Sequence, residues 1–284
     1  KETADNAALI YREMKERRGC SEIADELLNA AFYEYSASPL GVRTARSLYG
    51  QEMRGSVSRF ELFASCPYAH FLRYGMSLSE RIEYEFRPND IGTVFHSVLE
   101  EFGNRLISEN IRWNDVPDEH IDTLINAITD KKASEYGSNI LVSNARNSGI
   151  IYRLKRMLRS TARMVRSQTA CGLFVPESFE MRFAHMQDII LADGDGRKIS
   201  MTGKIDRIDT CQSENDKLLF RIIDYKSGIK KLSLLDVYYG TELQLPVYID
   251  EAVNCERQLH SGKEIVPAGM FYYHIADPII DADG

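Results

Sequence analysis

The 284-residue chain has no CxxC pair, no internal repeat, no low-complexity segment and no long apolar run. The apolar stretches fall well short of the roughly 20 residues a membrane-spanning helix needs, so no membrane association is expected. The opening KETADNAAL lacks the basic and apolar regions of a signal peptide. Five cysteines, at positions 20, 66, 171, 211 and 255, all stand at least 40 residues apart. An odd, scattered set of this kind points to reduced thiols and a cytoplasmic location, and argues against a disulfide framework. Without a CxxC pair, the chain by itself offers no self-contained zinc or iron–sulfur site. An excess of base is missing too. The net charge of −7 argues against a simple nucleic-acid-coating protein, because binding to the phosphate backbone is driven by Lys and Arg.

What is present is an ordinary globular composition, 44% apolar and 27% charged, in a chain long enough for one large or two modest domains. The charge is unevenly spread. From Ala145 to Pro176 no acid occurs, while Arg146, Arg153, Lys155, Arg156, Arg159, Arg163 and Arg166 do. Residues 3–18 and 21–35 read as helices, with Ser21 as an N-cap. Residues 36–55 have turn formers and no sustained period, which predicts a connector. The segment 56–75 reads as two short helices broken at Pro67. Asp90 is placed to cap a helix whose apolar stripe is Ile91, Val94, Phe95, Val98, Leu99, Phe102 and Leu106, with His96 beside it. Helices follow at about 117–135 and 150–169. The latter sets Ile150, Leu154, Met157, Leu158, Thr161 and Val165 opposite the arginines.

After Gly172 the period changes. FVPESFEMRFA, RKISMTGKIDRID and KLLFRIIDYKSG read as strands, with DGDG and CQSENDK as turns. TELQLPVYIDEAVN returns to helix, and IVPAGMFYYHI is a last strand. A helical half followed by strands predicts an α/β core whose sheet lies in the second half. In IIDYKSG, strand alternation puts Asp224 and Lys226 on one face and Tyr225 on the other. GKIDRID and IIDYKSG are expected to pair as a hairpin, bringing Asp206 near Asp224. Two carboxylates held together need a cation or a shared proton. Mg²⁺ is commonly held by one or two carboxylates plus waters and phosphate oxygens. Lys226 would then orient a water or steady negative charge, and His96 would add an imidazole ligand better suited to Mn²⁺.

These residues resemble the signature of the PD-(D/E)XK nucleases: Asp206 in a GxxDR element, then Asp224-Tyr225-Lys226. Gln244 and Tyr248 match the QxxxY element of the RecB-like branch, and His96 in IGTVFHSVLEEF matches its upstream histidine. The stretch SVSRFELFASCPYAHFLRYGMSL and the ending PAGMFYYHIADPIID resemble the C-terminal nuclease domain of the AddB chains of AddAB-type helicase–nucleases. The resemblance covers about 56–281. It implies a restriction-endonuclease-like α/β core, a central mixed sheet flanked by helices, at 56–284. Residues 1–55 would be the helical tail of a preceding helicase-like region.

It also implies an exodeoxyribonuclease that hydrolyses single-stranded DNA during double-strand-end processing. Its metal, Mg²⁺ or Mn²⁺, would be held by His96, Asp206, Asp224 and the backbone carbonyl of Tyr225. Asp206, Asp224 and Lys226 would be the catalytic residues. Gln244 and Tyr248 would contact substrate, and an AddA-like helicase subunit would be the partner. Apart from the resemblance, the charge of Arg156, Arg159 and Arg163 makes them candidates for a phosphate track. Cys66 matches the first ligand of that family's [4Fe–4S] cluster, whose other three ligands would lie beyond Gly284.

Taken singly, each feature has a plainer reading. Asp224 and Lys226 alone would be a structural ion pair. Asp206, Arg207 and Asp209 would be an exposed hairpin end, His96 a core-edge histidine, and Cys66 an inert thiol. Gln244 and Tyr248 would be packing residues on one helix face, and the arginines a solvated stripe. The alternatives to the nuclease subunit are a catalytically silent module of the same fold, kept for DNA binding or assembly, and a stand-alone nuclease. The order His96, Asp206, Asp224, Lys226, Gln244, Tyr248 favours the active enzyme.

Overall fold

The structure, a computed structural model, describes residues 2–17, 20–33, 39–50, 52–79, 88–135, 145–190, 198–213, 216–226, 228 and 230–275. The chain forms two compact units, Lys1–Ser47 and Leu48–Gly284. In the first, helices α1 (Glu2–Glu16) and α2 (Ser21–Ala31) are joined by Tyr11, which donates to Asp25 Oδ1 at 3.0 Å. Cys20, not Ser21, occupies the N-cap of α2, and no side chain caps that end. Helix α3 spans Val42–Tyr49.

The second unit begins with a correction to the connector reading. Glu52–Ser56 is a strand, β1, because its backbone pairs in parallel with β3 although EMRGS carries no β-branched residue. Next come α4 (Val57–Ser65), α5 (Pro67–His70) with a π-helical turn to Gly75, α6 (Pro88–Ser108), α7 (Asp118–Glu135) and α8 (Ala145–Cys171). Asp90 lies inside the first turn of α6 rather than capping it. The strands are β2 (Val175–Ile190), β3 (Lys198–Gln212), β4 (Lys217–Lys226) and β5 (Glu264–His274). Helices α9 (Leu234–Tyr238) and α10 (Gln244–Leu259) lie between β4 and β5. The DGDG turn lies outside the described residues.

The sheet is mixed, in the order β1-β3-β4-β5 with β2 also on β3. β2 and β4 run antiparallel to β3, whereas β1–β3 and β4–β5 are parallel. β2 follows nearly all of one edge of β3. On the other edge β1 pairs with 198–202 and β4 with 207–212. Residues 203–206, the GKID of the sequence motif, fall in the gap between those two partners.

Each face of the sheet has its own core. On one, α6, α7 and α8 pack Phe95, Phe102, Ile125 and Leu158 against Phe179, Ile223 and Tyr225. On the other, α10 brings Leu245, Tyr248 and Ala252 onto Phe183, Ile205, Phe220 and Ile222. Six of the seven residues of the α6 stripe are buried, Ile91 being intermediate. At roughly 1.5–3 kcal/mol per buried large apolar side chain, these two layers fix where the helices sit.

Strand periodicity breaks at one level. Phe179 points to the α6 face, yet Met181 and Phe183 belong to the α10 face. Two odd-numbered residues of a regular strand cannot do that. The slip occurs at Glu180, which takes a left-handed φ of 52°, an uncommon conformation for a residue with a side chain. β3 slips at the same level, since Ile205 and Ile208 share the α10 face. The flanking pairs Phe179↔Arg207 and Met181↔Ile205 put Glu180 opposite Asp206. Among the described residues no helix is long and apolar enough to cross a membrane.

Candidate active site and metal centre

The double slip turns two carboxylates towards α6, where His96 meets them. His96 Nδ1 lies 2.9 Å from Glu180 Oε1 and 3.3 Å from Asp206 Oδ1. The ligating atoms of His96, Glu180 and Asp206 all lie within 4.8 Å of one another. Burial alone would lower the imidazole pKa, but the hydrogen bonds and charges of Asp206 and Glu180 overcome it and push it up to about 10. Burial likewise works to raise the Glu180 carboxyl, while His96 and Lys204 outweigh it and hold it below its ordinary value. Lys204 also touches Glu180 directly. Asp206 accepts a hydrogen bond from the backbone N–H of Tyr225 at 2.8 Å, which lays the Tyr225 peptide against its carboxylate.

Asp224 lies at the end of β4, 2% exposed. Burial and the neighbouring charge of Asp206 raise its pKa to about 6, with Lys226 and His96 pulling the other way. Its Oδ2 is 2.6 Å from Lys226 Nζ, and its buried Oδ1 has no hydrogen-bond partner. Lys226 also donates to Gln244 Oε1 at 2.8 Å, and Gln244 Nε2 donates to the Tyr248 hydroxyl at 3.2 Å. Asp224, Lys226, Gln244 and Tyr248 therefore form one polar chain from β4 to α10. The buried orphan oxygen of Asp224 and the oxygen-rich set with one imidazole fit a divalent metal ion.

The expected exposed hairpin end is instead a buried network. Arg207 and Asp209 are each 1% exposed. Arg207 donates to Asp209 and to the Tyr225 hydroxyl, both at 3.0 Å, and Arg221 reaches Asp209 at 2.8 Å. Removing one member would strand an unpaired buried charge, at a cost of about 3–5 kcal/mol. The glycine of GxxDR has its own reason: a Cβ on Gly203 would come within 2.3 Å of the Phe183 ring and 3.0 Å of Tyr248.

Two site residues carried no sequence signal. Glu180 reads as one more acid in a strand, and only its φ and its place opposite Asp206 single it out. Glu61, on α4, accepts from the backbone N–H groups of Leu243 and Gln244 at 2.7 and 3.1 Å. It caps α10 where Leu243 cannot, and a carboxylate suits a helix N-terminus. Gln244 is thus held at the site from a helix far away in sequence.

The arginine stripe is partly an ion-pair ladder between helices. Arg163 contacts Asp118 and Asp122, Arg166 contacts Asp118 and the Val116 carbonyl, and Lys155 contacts Asp130. Arg156, Arg159 and Arg163 also line an open cavity of about 550 Å³ on α8. Cys66 is exposed at the N-cap of α5, where its sulfur accepts from Ala69 N–H at 3.4 Å. Among the described residues it joins no cluster of metal-ligating side chains.

A mixed sheet ending in buried carboxylates, with a lysine at the second of them, is the architecture of a restriction-endonuclease-like hydrolase. Residues 54–283 match the PD-(D/E)XK nuclease superfamily, and the chain belongs to it. It is 38% identical over 256 residues to the B-type subunit of the ATP-dependent helicase/deoxyribonuclease of Lachnoclostridium phytofermentans. That match covers 90% of this chain and 21% of the relative. Proteins described by the same words in Alkaliphilus metalliredigens and Alkaliphilus oremlandii are 37% and 35% identical, across 89% and 95% of this chain. The chain spans only 21–24% of the length of these curated relatives.

Proposed function

We propose that the chain is the metal-dependent deoxyribonuclease domain of a helicase–nuclease and hydrolyses phosphodiester bonds of single-stranded DNA from an end. The reading rests on one observation: His96, Glu180 and Asp206 converge beside the chain Asp224–Lys226–Gln244–Tyr248. His96, Asp206, Asp224 and the Tyr225 carbonyl would hold Mg²⁺ or Mn²⁺, with Glu180 as a further carboxylate. A divalent ion bound there supplies a water of lowered pKa and neutralises charge on the scissile phosphate. Lys226, steadied by Asp224 and Gln244, donates to the attacking water and to the developing charge. Gln244 and Tyr248 face the substrate strand, and Arg156, Arg159 and Arg163 offer a phosphate track.

The similarity to the B-type subunits of helicase/deoxyribonucleases supports the rest. Residues 1–55 would be the tail of a helicase-like region and 56–284 the nuclease domain. An AddA-like helicase subunit would feed single strands to the site from duplex ends, in the bacterial cytoplasm, for recombinational repair. Cys66, exposed at a helix start, would supply one thiolate to a [4Fe–4S] cluster completed by cysteines outside this sequence. The test is cleavage of end-labelled single-stranded DNA with Mg²⁺ or Mn²⁺ by the parent, Asp224→Ala and Lys226→Ala. Loss of cutting in both variants is the expected result. Cutting at the parental rate by either would sink the proposed site, and an inactive parent that binds DNA would favour the silent module.

A further inference from the structure

A second histidine–carboxylate cluster lies at the far end of α10. Gln244 opens that helix and Glu256 is near its end, about 18 Å further on at ~1.5 Å per residue. Glu256 and His260, four residues apart, share a helix face. Glu177 comes to them from β2, where the β2–β3 register shifts between Pro176 and Ser178. A bulge of this kind re-aims the extra residue's side chain. His260 Nε2 is 3.0 Å from Glu177 Oε1 and 3.4 Å from Glu256 Oε2. The ligating atoms of all three lie within 4.8 Å of one another.

From these contacts we infer that Glu177, Glu256 and His260 form a second, structural metal site for a divalent transition ion of the Zn²⁺ type, pinning α10 to β2. Glu256 carries the argument. Its side chain is 0% exposed, and neither carboxylate oxygen accepts a hydrogen bond. A sealed carboxylate is expensive unless a charge or a metal meets it. One imidazole faces two carboxylates here, and it sits closer to Glu177. Zn²⁺ takes His nitrogen and carboxylate oxygen at about 2.0–2.2 Å in tetrahedral array, which separates ligand atoms by about 3.3–3.5 Å. The His260–Glu256 separation of 3.4 Å falls on that edge, and the His260–Glu177 separation of 3.0 Å is slightly shorter. Glu177 and His260 remain 34% and 24% exposed, which leaves a path for an ion and for a fourth, water ligand.

The site is independent of the proposed nuclease chemistry, and the test keeps the two apart. The full chain, stripped of metal, is titrated with Zn²⁺ by calorimetry, and its bound zinc is counted after dialysis. Its melting temperature is read with and without the ion. The same is done for Glu256→Gln, His260→Asn and the active-site variant Asp206→Asn. Glu256→Gln and His260→Asn are each expected to lose about one zinc equivalent, with affinity down roughly 100-fold or more, and to lose the zinc-induced rise in melting temperature. Asp206→Asn should keep that equivalent. Co²⁺ in place of Zn²⁺ should give the parent and Asp206→Asn a tetrahedral visible band that the two cluster variants lack. If both cluster variants bind zinc as the parent does, or Asp206→Asn binds none, the inference is overturned. His260→Asn alters a partly exposed side chain, so it decides the matter even if Glu256→Gln does not fold.

Discussion

Two clusters of nearly the same ligand chemistry hang from β2, three residues apart, at Glu177 and at Glu180. Each joins one histidine to two carboxylates within 4.8 Å. Their surroundings differ. Around His96, every acid has a further partner: Lys204 for Glu180, the Tyr225 amide for Asp206, Lys226 for the adjoining Asp224. Around His260, Glu256 has neither a lysine nor an amide among the described residues. The first arrangement can hold an ion and also orient a water beside it, since Lys226 projects next to the acids. The second can only hold. On the proposed function, catalytic capacity would lie in what accompanies the ligands, because both places offer one imidazole and two carboxylates.

The largest expected effect tests that difference directly. Asp224→Ala or Lys226→Ala should lower single-strand cleavage by ~10²–10³-fold or more, the scale seen when one transition-state donor is lost. Zinc uptake at the Glu256 cluster should persist in both variants. Comparable loss of zinc there would merge the two regions and break the comparison. Next in size, Glu180→Gln should weaken Mn²⁺ binding at the active site by about 10–100-fold, as removal of a supporting carboxylate does. Calorimetry that shows unchanged Mn²⁺ affinity would reduce Glu180 to a strand irregularity.

A smaller effect concerns the helix both clusters share. Glu61→Ala removes the cap of α10 and should cost about 1 kcal/mol of stability in denaturant unfolding. It should also raise KM for DNA more than it lowers kcat, because Gln244 loses its fixed position. The smallest comes from a third histidine with no acid beside it. His70 is buried among Tyr49, Phe63 and Tyr74 and accepts a hydrogen bond from Arg59 Nε at 3.2 Å. Burial, then the Arg59 charge, holds its pKa below the ordinary 6.5. A depressed base favours the folded state above pH 6.5, and that contribution is lost as pH falls through the lower folded-state value. The parent should lose stability on the acid side of neutrality, and His70→Phe should flatten that slope. His96, raised by its acids, has the opposite sign.

Much of this was legible in the sequence. The helical period of α6 predicted its buried face, the alternation in IIDYKSG set Asp224 and Lys226 apart from Tyr225, and the structure brings His96 to Asp206 and Lys226 to Gln244. Strand alternation did not reveal Glu180, because its position depends on a backbone slip. It did not reveal β1 either, since EMRGS is a strand only through its neighbour. Arg207 and Asp209 look like a solvated pair until the covering helices are in place. Local propensity has no access to partners outside its own window, such as the 146 positions between Glu52 and Lys198.

Glu61 and Leu243 are separated by 182 positions. A chain leaving the ribosome therefore completes α4 long before the helix it must cap has been made. Gln244 is fixed in place only after α10 has emerged, by the Glu61 cap on its backbone N–H. Until then Lys226 lacks its Gln244 partner, so the hydrogen-bonded run from β4 to Tyr248 is among the last parts of the unit to assemble.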